Sequence, residues 1–190
     1  MVTSTEKRKI KVKEDIVAEI EIPEKITIKF ENNILAISGP KGNIKKNFEK
    51  MPVTLTIDSN KTIIKPFGKR KKDLAITNTI KSVIRNMITG VLNGYTYKLH
   101  IVFSHFPISV KISDKQISIE NFIGERAPRV ANIVGDCKVS VEGEDLIIKG
   151  PSLEDVSQTA ANVEIGTKIR DKDARVFLDG LYVYSKEKGI

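Results

Sequence analysis

Ile26-Thr27-Ile28-Lys29-Phe30, a turn at Asn33, and Leu35-Ala36-Ile37 alternate apolar with polar residues. Ile108-Ser109-Val110-Lys111-Ile112, Lys115, and Ile117-Ser118-Ile119 repeat the pattern about 82 residues later. A period of two is that of a strand with one buried face, so each stretch predicts two strands joined by a turn. Both pairs run into a glycine-bearing loop, Gly39-Pro40-Lys41-Gly42 in the first copy and Asn121-Phe122-Ile123-Gly124 in the second.

The correspondence continues outward. Val53-Thr54-Leu55-Thr56-Ile57, a turn at Asp58-Ser59-Asn60, and Ile63-Ile64-Lys65-Pro66 form the next pair. Its counterpart is Cys137-Lys138-Val139-Ser140-Val141, Glu142 to Asp145, and Ile147-Ile148-Lys149-Gly150-Pro151. A helix is predicted after each. Ile76, Ile80, Val83, Ile84, Met87 and Val91 recur at three- and four-residue spacing, with Gly90 read as a stop signal. In the second copy Ser152 and Asp155 form an N-cap signal ahead of Val156, Ala160 and Val163. Asn93-Gly94 and Asp179-Gly180 then read as turns leading into Tyr95 to Leu99 and Leu181 to Tyr184.

Each half thus reads strand–strand–strand–strand–helix–strand. The expected fold class is α+β, two tandem copies of a small domain, each an antiparallel sheet with one helix packed on one face. The expected division is a flexible lead-in over 1–12, a first repeat over 13–102 and a second over 103–190, meeting near Phe103. Units of this size bury a modest core.

The chain has 190 residues, 40% hydrophobic and 29% charged, with a formal net charge of +8 and a pI near 9.4. No apolar run reaches the roughly 18 residues of a membrane span, and the N-terminus lacks the apolar stretch of a secretory signal. Between Lys61 and Ser104 stand nine Lys or Arg and one acid, Asp73; the remainder is balanced in charge. The excess centres on Gly68-Lys69-Arg70-Lys71-Lys72, flanked by Lys65, Lys81 and Arg85. Positive charge so concentrated favours a polyanion, although a solvated surface loop would look the same in sequence.

Reactive groups that could converge on a substrate are scarce. His100 reads as a surface residue on a strand, and His105, in Ser104-His105-Phe106-Pro107, as a corner between the domains. Cys137 alternates with Val139 and Val141 and reads as a small buried hydrophobe in a reducing compartment. No metal-ligand spacing is present, and Gly39 to Asn43 lacks the Gly-Lys-Ser/Thr ending of a phosphate loop and precedes a strand-like segment. The expectation is a protein that is not an enzyme and needs no cofactor, metal, membrane or small-molecule substrate.

Nucleic-acid binding fits better. Aromatics are 6% of the chain, and Phe30, Tyr97 and Phe103 alternate with polar residues as core positions do. Phosphate contacts on a structured RNA, not base stacking, are therefore the expected main mode. Four basic clusters are the candidates: Lys41 with Lys45 and Lys46; Lys69, Arg70, Lys71 and Lys72; Arg126 with Arg129; and Lys168, Arg170, Lys172 and Arg175. In the last, Asp171 and Asp173 interleave with the bases, and a salt-bridged surface competes with RNA contact.

Gly39-Pro40-Lys41-Gly42, Asn86 to Val91, His105-Phe106-Pro107-Ile108, Asn121 to Glu125, and Phe177-Leu178-Asp179-Gly180-Leu181-Tyr182-Val183 together resemble the large-subunit ribosomal protein family numbered six in bacteria and nine in eukaryotes. The motifs run from about residue 20 to residue 184, nearly the whole chain. The chain is similar to the archaeal and eukaryotic branch, because it lacks the Gly-Lys-Gly tail of the bacterial proteins and ends in Ser185 to Ile190. The resemblance implies two related domains, direct contacts with large-subunit ribosomal RNA, neighbouring ribosomal proteins, and a cytoplasmic place on the ribosome near the sarcin–ricin loop and the translation-factor site. It also brings His105, within the family motif, into the candidate RNA-binding set. The rival expectations are a free RNA-binding or RNA-chaperone protein and a protein–protein adaptor with an incidental basic loop.

Overall fold

A computed structural model describes residues 17–58, 61–170, 172–173 and 175–190. The expected lead-in over 1–12, the turn residues Ser59 and Asn60, and Asp171 lie outside them. The first half holds strands β1 (Ala18–Glu21), β2 (Thr27–Glu31), β3 (Ile34–Gly39), β4 (Gly42–Asn47), β5 (Val53–Asp58) and β6 (Lys61–Pro66), then helix α1 (Lys71–Leu92). The second holds β7 (Tyr95–Val102), β8 (Ser109–Ser113), β9 (Gln116–Glu120), β10 (Arg129–Asn132), β11 (Lys138–Glu142), β12 (Asp145–Gly150), helix α2 (Leu153–Gly166) and β13 (Gly180–Lys188). Neither helix is long and apolar enough to cross a membrane.

The alternation read in sequence sets the registers. In β2–β3, Ile28 faces Ile37 and Phe30 faces Leu35; in β8–β9, Val110 faces Ile119 and Ile112 faces Ile117. Directly opposed residues share a face, so each hairpin turns one apolar surface inward. Each half folds into two small antiparallel sheets, not one: β1-β6-β5 with β2-β3-β4, and β11-β12-β7-β13 with β10-β9-β8. Leu35, Ile37, Ile64, Ile80 and Ile84 are fully buried between the first pair of sheets and α1. Leu99, Ile117, Leu146, Val156 and Val163 fill the equivalent space in the second half. Each such side chain contributes about 1.5–3 kcal/mol through burial.

The division between the units differs from expectation. Strand β7 pairs with β12 on one side and β13 on the other, and with nothing in the first half. The chain therefore enters the second unit at Asn93-Gly94, not near Phe103. Periodicity shows which residues of a strand face inward but not which strand lies beside it. In the corrected frame β1 is the counterpart of β7, the repeat is one strand, a three-stranded meander, a hairpin and a helix, and β13 is an addition to the second unit. Gly94 has the positive φ (+81°) that the Asn-Gly pair suggests. Gly180 instead lies within β13 opposite Val102, where a Cβ would come within 2.9 Å of the Tyr182 ring.

Gly90 does not stop α1, which continues to Leu92. Its smoothness serves the contact between units: a Cβ there would lie 2.0 Å from the Pro151 carbonyl oxygen and 2.9 Å from the Tyr95 ring. Gly42 meets the other side of Pro151, its Cβ position 3.2 Å from the proline Cγ. Lys46 reaches across to Glu154. The far end of the chain closes on the connector, with Gly189 N–H donating to Gly94 O at 3.0 Å and Thr96 Oγ1 donating to Gly189 O at 2.5 Å.

Alanine normally stabilises a helix relative to glycine by up to about 1 kcal/mol. At Gly90 the sign should reverse, with Gly90→Ala costing about 1–3 kcal/mol through overpacking against Pro151. Gly166→Ala, whose Cβ would meet nothing within 4 Å, serves as the control and should be neutral or stabilising. Urea denaturation of both variants checks this; equal midpoints would show that the two units do not press together at Gly90.

Candidate nucleic-acid interface

The basic clusters differ in what holds them. Lys69 and Arg70 lead into α1, and Lys71 and Lys72 are its first two residues; all four are exposed. Among the described residues none of them makes an ion pair. The helix starts here because Asp73 occupies its third position, where the carboxylate accepts the Arg70 N–H at 2.8 Å. Cations at the positive end of a helix dipole cost about 0.3–1 kcal/mol each. The run is thus unfavourable for α1 itself and leaves four positive charges for something outside the fold.

Lys41 sits in the β3–β4 turn, its N–H donating to Val91 O at 3.0 Å while its side chain is exposed. Lys45 is exposed on β4, but Lys46 is half-buried and paired with Glu154. Lys45 and Lys46 line one wall of a cleft of about 510 Å³ between the units, opposite Cys137 and Asp155. Cys137 is half-buried against the second core, and burial pushes its thiol up to about 11, which suits the inert role read from sequence.

Arg126 is exposed and Arg129 is not available in the same way. Its guanidinium donates to both Glu125 oxygens at 2.8 and 2.6 Å and to the carbonyls of Gly166 and Lys168 at 3.0 and 3.2 Å. It also lies 4.3 Å over the Phe122 ring. The hydrogen bond from Arg129 holds the Glu125 carboxyl below its usual range. Sequence spacing joined Arg126 and Arg129, but the geometry gives Arg129 to the fold, where it ties the loop after β9 to the end of α2.

Lys168, Arg170, Lys172 and Arg175 are exposed. Lys172 lies 4.9 Å over the Phe177 ring, and Asp173 accepts a bond from the Arg175 backbone N–H at 2.9 Å. Phe177 in turn stacks on His105 at 4.6 Å. His105 lies within the second unit, not between units: its Nδ1 is 2.9 Å from Asp179 Oδ2, while Asp179 Oδ1 accepts the N–H groups of Ser104 and His105. Burial alone would raise the Asp179 carboxyl, but these hydrogen bonds outweigh it and hold it below the usual range. His105 thus keeps only Nε2 for an outside partner.

Three features are not evident from the sequence. Asp179 was absorbed into an Asp-Gly turn signal, and only its burial reveals it as the anchor of His105. Phe103, read as a core residue, is 42% exposed, and Phe67, which follows Pro66 out of β6, is 75% exposed. On the open face of the second sheet, His100 Nδ1 lies 2.8 Å from Asp145 Oδ1 and Tyr184 Oη donates to Asp145 Oδ2 at 2.8 Å. Both bonds, that from His100 being the stronger influence, keep the Asp145 carboxyl low.

Arg129→Ala should lower stability by about 1–3 kcal/mol, while Arg126→Ala leaves the denaturation midpoint unchanged. The Glu125 carboxyl is depressed in the folded state, so its contribution is present above an unfolded value near ~4.3 and lost as pH falls through the folded value. The gap between wild type and Arg129→Ala should therefore shrink below about pH 4. A gap constant down to pH 2 (about two units below the ordinary Glu value) would assign the effect to the carbonyls and Phe122 alone.

The family model described as Ribosomal protein L6 matches residues 22–94 and 106–180, two segments separated by the stretch that holds β7. Large ribosomal subunit protein uL6 of Staphylothermus marinus is 46% identical over 173 residues, covering 89% of this chain and 94% of the relative. The uL6 protein of Methanobrevibacter smithii is 45% identical over 169 residues, with 89% and 95% covered. That of Saccharolobus solfataricus is 42% identical over 170 residues, with 89% and 94% covered. With both segments matched and archaeal relatives aligned nearly end to end, this chain belongs to the ribosomal protein L6 family.

Proposed function

We propose that this chain is a non-catalytic constituent of the large ribosomal subunit in the cytoplasm, where it stabilises folded ribosomal RNA by neutralising phosphates. The observation that carries the reading is the run from Lys69 to Lys72: four exposed cations without an ion pair among the described residues, on a backbone fixed by buried Asp73. A polyanion supplies the countercharge that the fold withholds. Lys41, Lys45, Arg126, Lys168, Arg170, Lys172 and Arg175 add exposed cations, and His105 adds one imidazole nitrogen. Arg129 and Lys46 act indirectly, by holding the surfaces that carry these groups.

The names of the relatives support the subunit, and the family resemblance supports a place near the sarcin–ricin loop and the translation-factor site. Neighbouring ribosomal proteins complete the environment. Family membership favours this reading over a free RNA chaperone, which would carry the same basic surface without co-migrating with the particle.

Sedimentation of a cell extract through sucrose, with a salt wash of the large-subunit fraction, tests the assignment. Retention through moderate salt is expected; a protein that stays at the top of the gradient is a free RNA-binding protein or an adaptor. Replacing Lys69, Arg70 and Lys71 together by Glu should weaken binding to large-subunit RNA. Each lost phosphate contact should flatten the log–log salt dependence by roughly 0.7–0.9. Unchanged affinity and slope would remove this cluster from the RNA surface.

A further inference from the structure

Phe67 is the most exposed large apolar side chain among the described residues, at 75%. Burying such a ring is worth about 1.5–3 kcal/mol, so its position needs a reason. It is not on a loose tip. Its N–H donates to Pro52 O at 3.3 Å. The next residue, Gly68, is pressed so closely on Asp73 that a Cβ would lie 2.4 Å from Oδ2. That oxygen also accepts the Arg70 N–H at 2.8 Å. The backbone from Phe67 to Arg70 is therefore pinned at both ends by groups of the fold, and the ring is presented to solvent with little ordering left to be done on binding.

The residues that follow the ring in the chain point to the kind of partner it meets. Lys69, Arg70, Lys71 and Lys72 follow at once, all exposed. The carboxylate in that run, Asp73, is buried and turned to the backbone. An aromatic face beside several free cations is the chemistry that takes an unpaired base on the ring and its flanking phosphates on the side chains. A protein segment could also cover a phenyl ring, but four cations without an exposed acid among them favour a polyanion.

We propose that Phe67 stacks on an unpaired base of the ribosomal RNA while Lys69 to Lys72 hold the phosphates beside it. The proposal rests on the RNA-binding reading above and narrows it. Most of this surface recognises RNA through phosphates, and this one point reads a base that has left its helix.

The test uses the full chain and deproteinised large-subunit ribosomal RNA. Stacking contributes about 1–3 kcal/mol per base, so Phe67→Ala should weaken binding roughly 5- to 150-fold at an unchanged salt slope. Phe67→Leu should lose as much, because it keeps apolar bulk without the ring face, and Phe67→Tyr should bind like wild type. The chain has no tryptophan, so Phe67→Trp adds a unique emission that stacking should quench when RNA is added. Quenching together with the Ala and Leu losses is the expected result. Unchanged affinity in Phe67→Ala, or unquenched emission at saturating RNA, would overturn the stack while leaving phosphate binding intact. Normal RNA affinity with weakened retention on assembled subunits would overturn it too, and would give the ring to a protein neighbour. Failure of the RNA-binding reading itself would look different: the wild-type chain would then show no salt-dependent binding to the RNA.

Discussion

Two small cores become one platform because Pro151 fits between Gly42 and Gly90. Each unit buries its own helix and its own sheets, and neither needs the other to satisfy its hydrophobic pattern. What joins them is a place where the backbones approach too closely for a side chain: a Cβ on Gly90 would lie 2.0 Å from a carbonyl oxygen. Close packing of this kind has steep energetics, because displacement by even a fraction of an ångström forfeits contact. The Lys46–Glu154 pair and the closure of Gly189 on Gly94 add direction to that contact. The cationic surfaces of the two units are thereby fixed relative to one another, so that under the RNA-binding proposal separate loops meet one folded RNA without adding an ordering cost for each.

The basic residues divide according to whether the fold supplies their countercharge. Arg129, Lys46, Lys61, Lys98 and Lys111 are matched by Glu125, Glu154, Glu19, Glu187 and Glu120. Exposed pairs of this kind are worth about 0–1 kcal/mol, so most of them tune the surface more than they hold the structure. Arg129 is the exception, because it also caps carbonyls and covers Phe122. The group unmatched among the described residues, from Lys69 to Lys72, stands where the α1 dipole makes positive charge least welcome. Asp73, the one acid between Lys61 and Ser104 in the sequence, is turned to the backbone and not to these cations.

Much of the fold was legible because it rests on local periodicity. The hairpins around Asn33 and Lys115, the stripe of α1 and the Ser152 cap all appear where alternation and spacing place them. Pairing between distant strands was not legible, and so β7 was assigned to the wrong unit, β1 and β10 were passed over, and β4 was read only as a strand-like segment. Strand β1 is only four residues long, and β10 follows a loop in which Asn121 and Ile123 take positive φ. A β-branched residue in that conformation is held there by tertiary contacts, which no local rule anticipates. For the candidate site, sequence located the charge but could not sort it. Arg126 and Arg129 look alike in a charge run, and only the three-dimensional positions of Glu125, Gly166 and Lys168 separate them.

The corrected repeat frame shows where the two units differ. The segment linking the last hairpin strand to the helix is Phe67 to Arg70 in the first unit and Pro151-Ser152 in the second. In the second copy Ser152 caps α2, Glu154 and Asp155 suit its dipole, and Pro151 turns inward against the first unit. In the first copy the same place carries a ring and four cations, faces outward, and is unfavourable for its own helix. One of the two equivalent turns is thus the joint between the units, and the other is the exposed cationic segment. The second unit also has β13, which covers the edge of β7. The two units thus hold equivalent positions, one packed into the joint between them and the other left exposed with the charge arrangement that the proposed RNA contact would use.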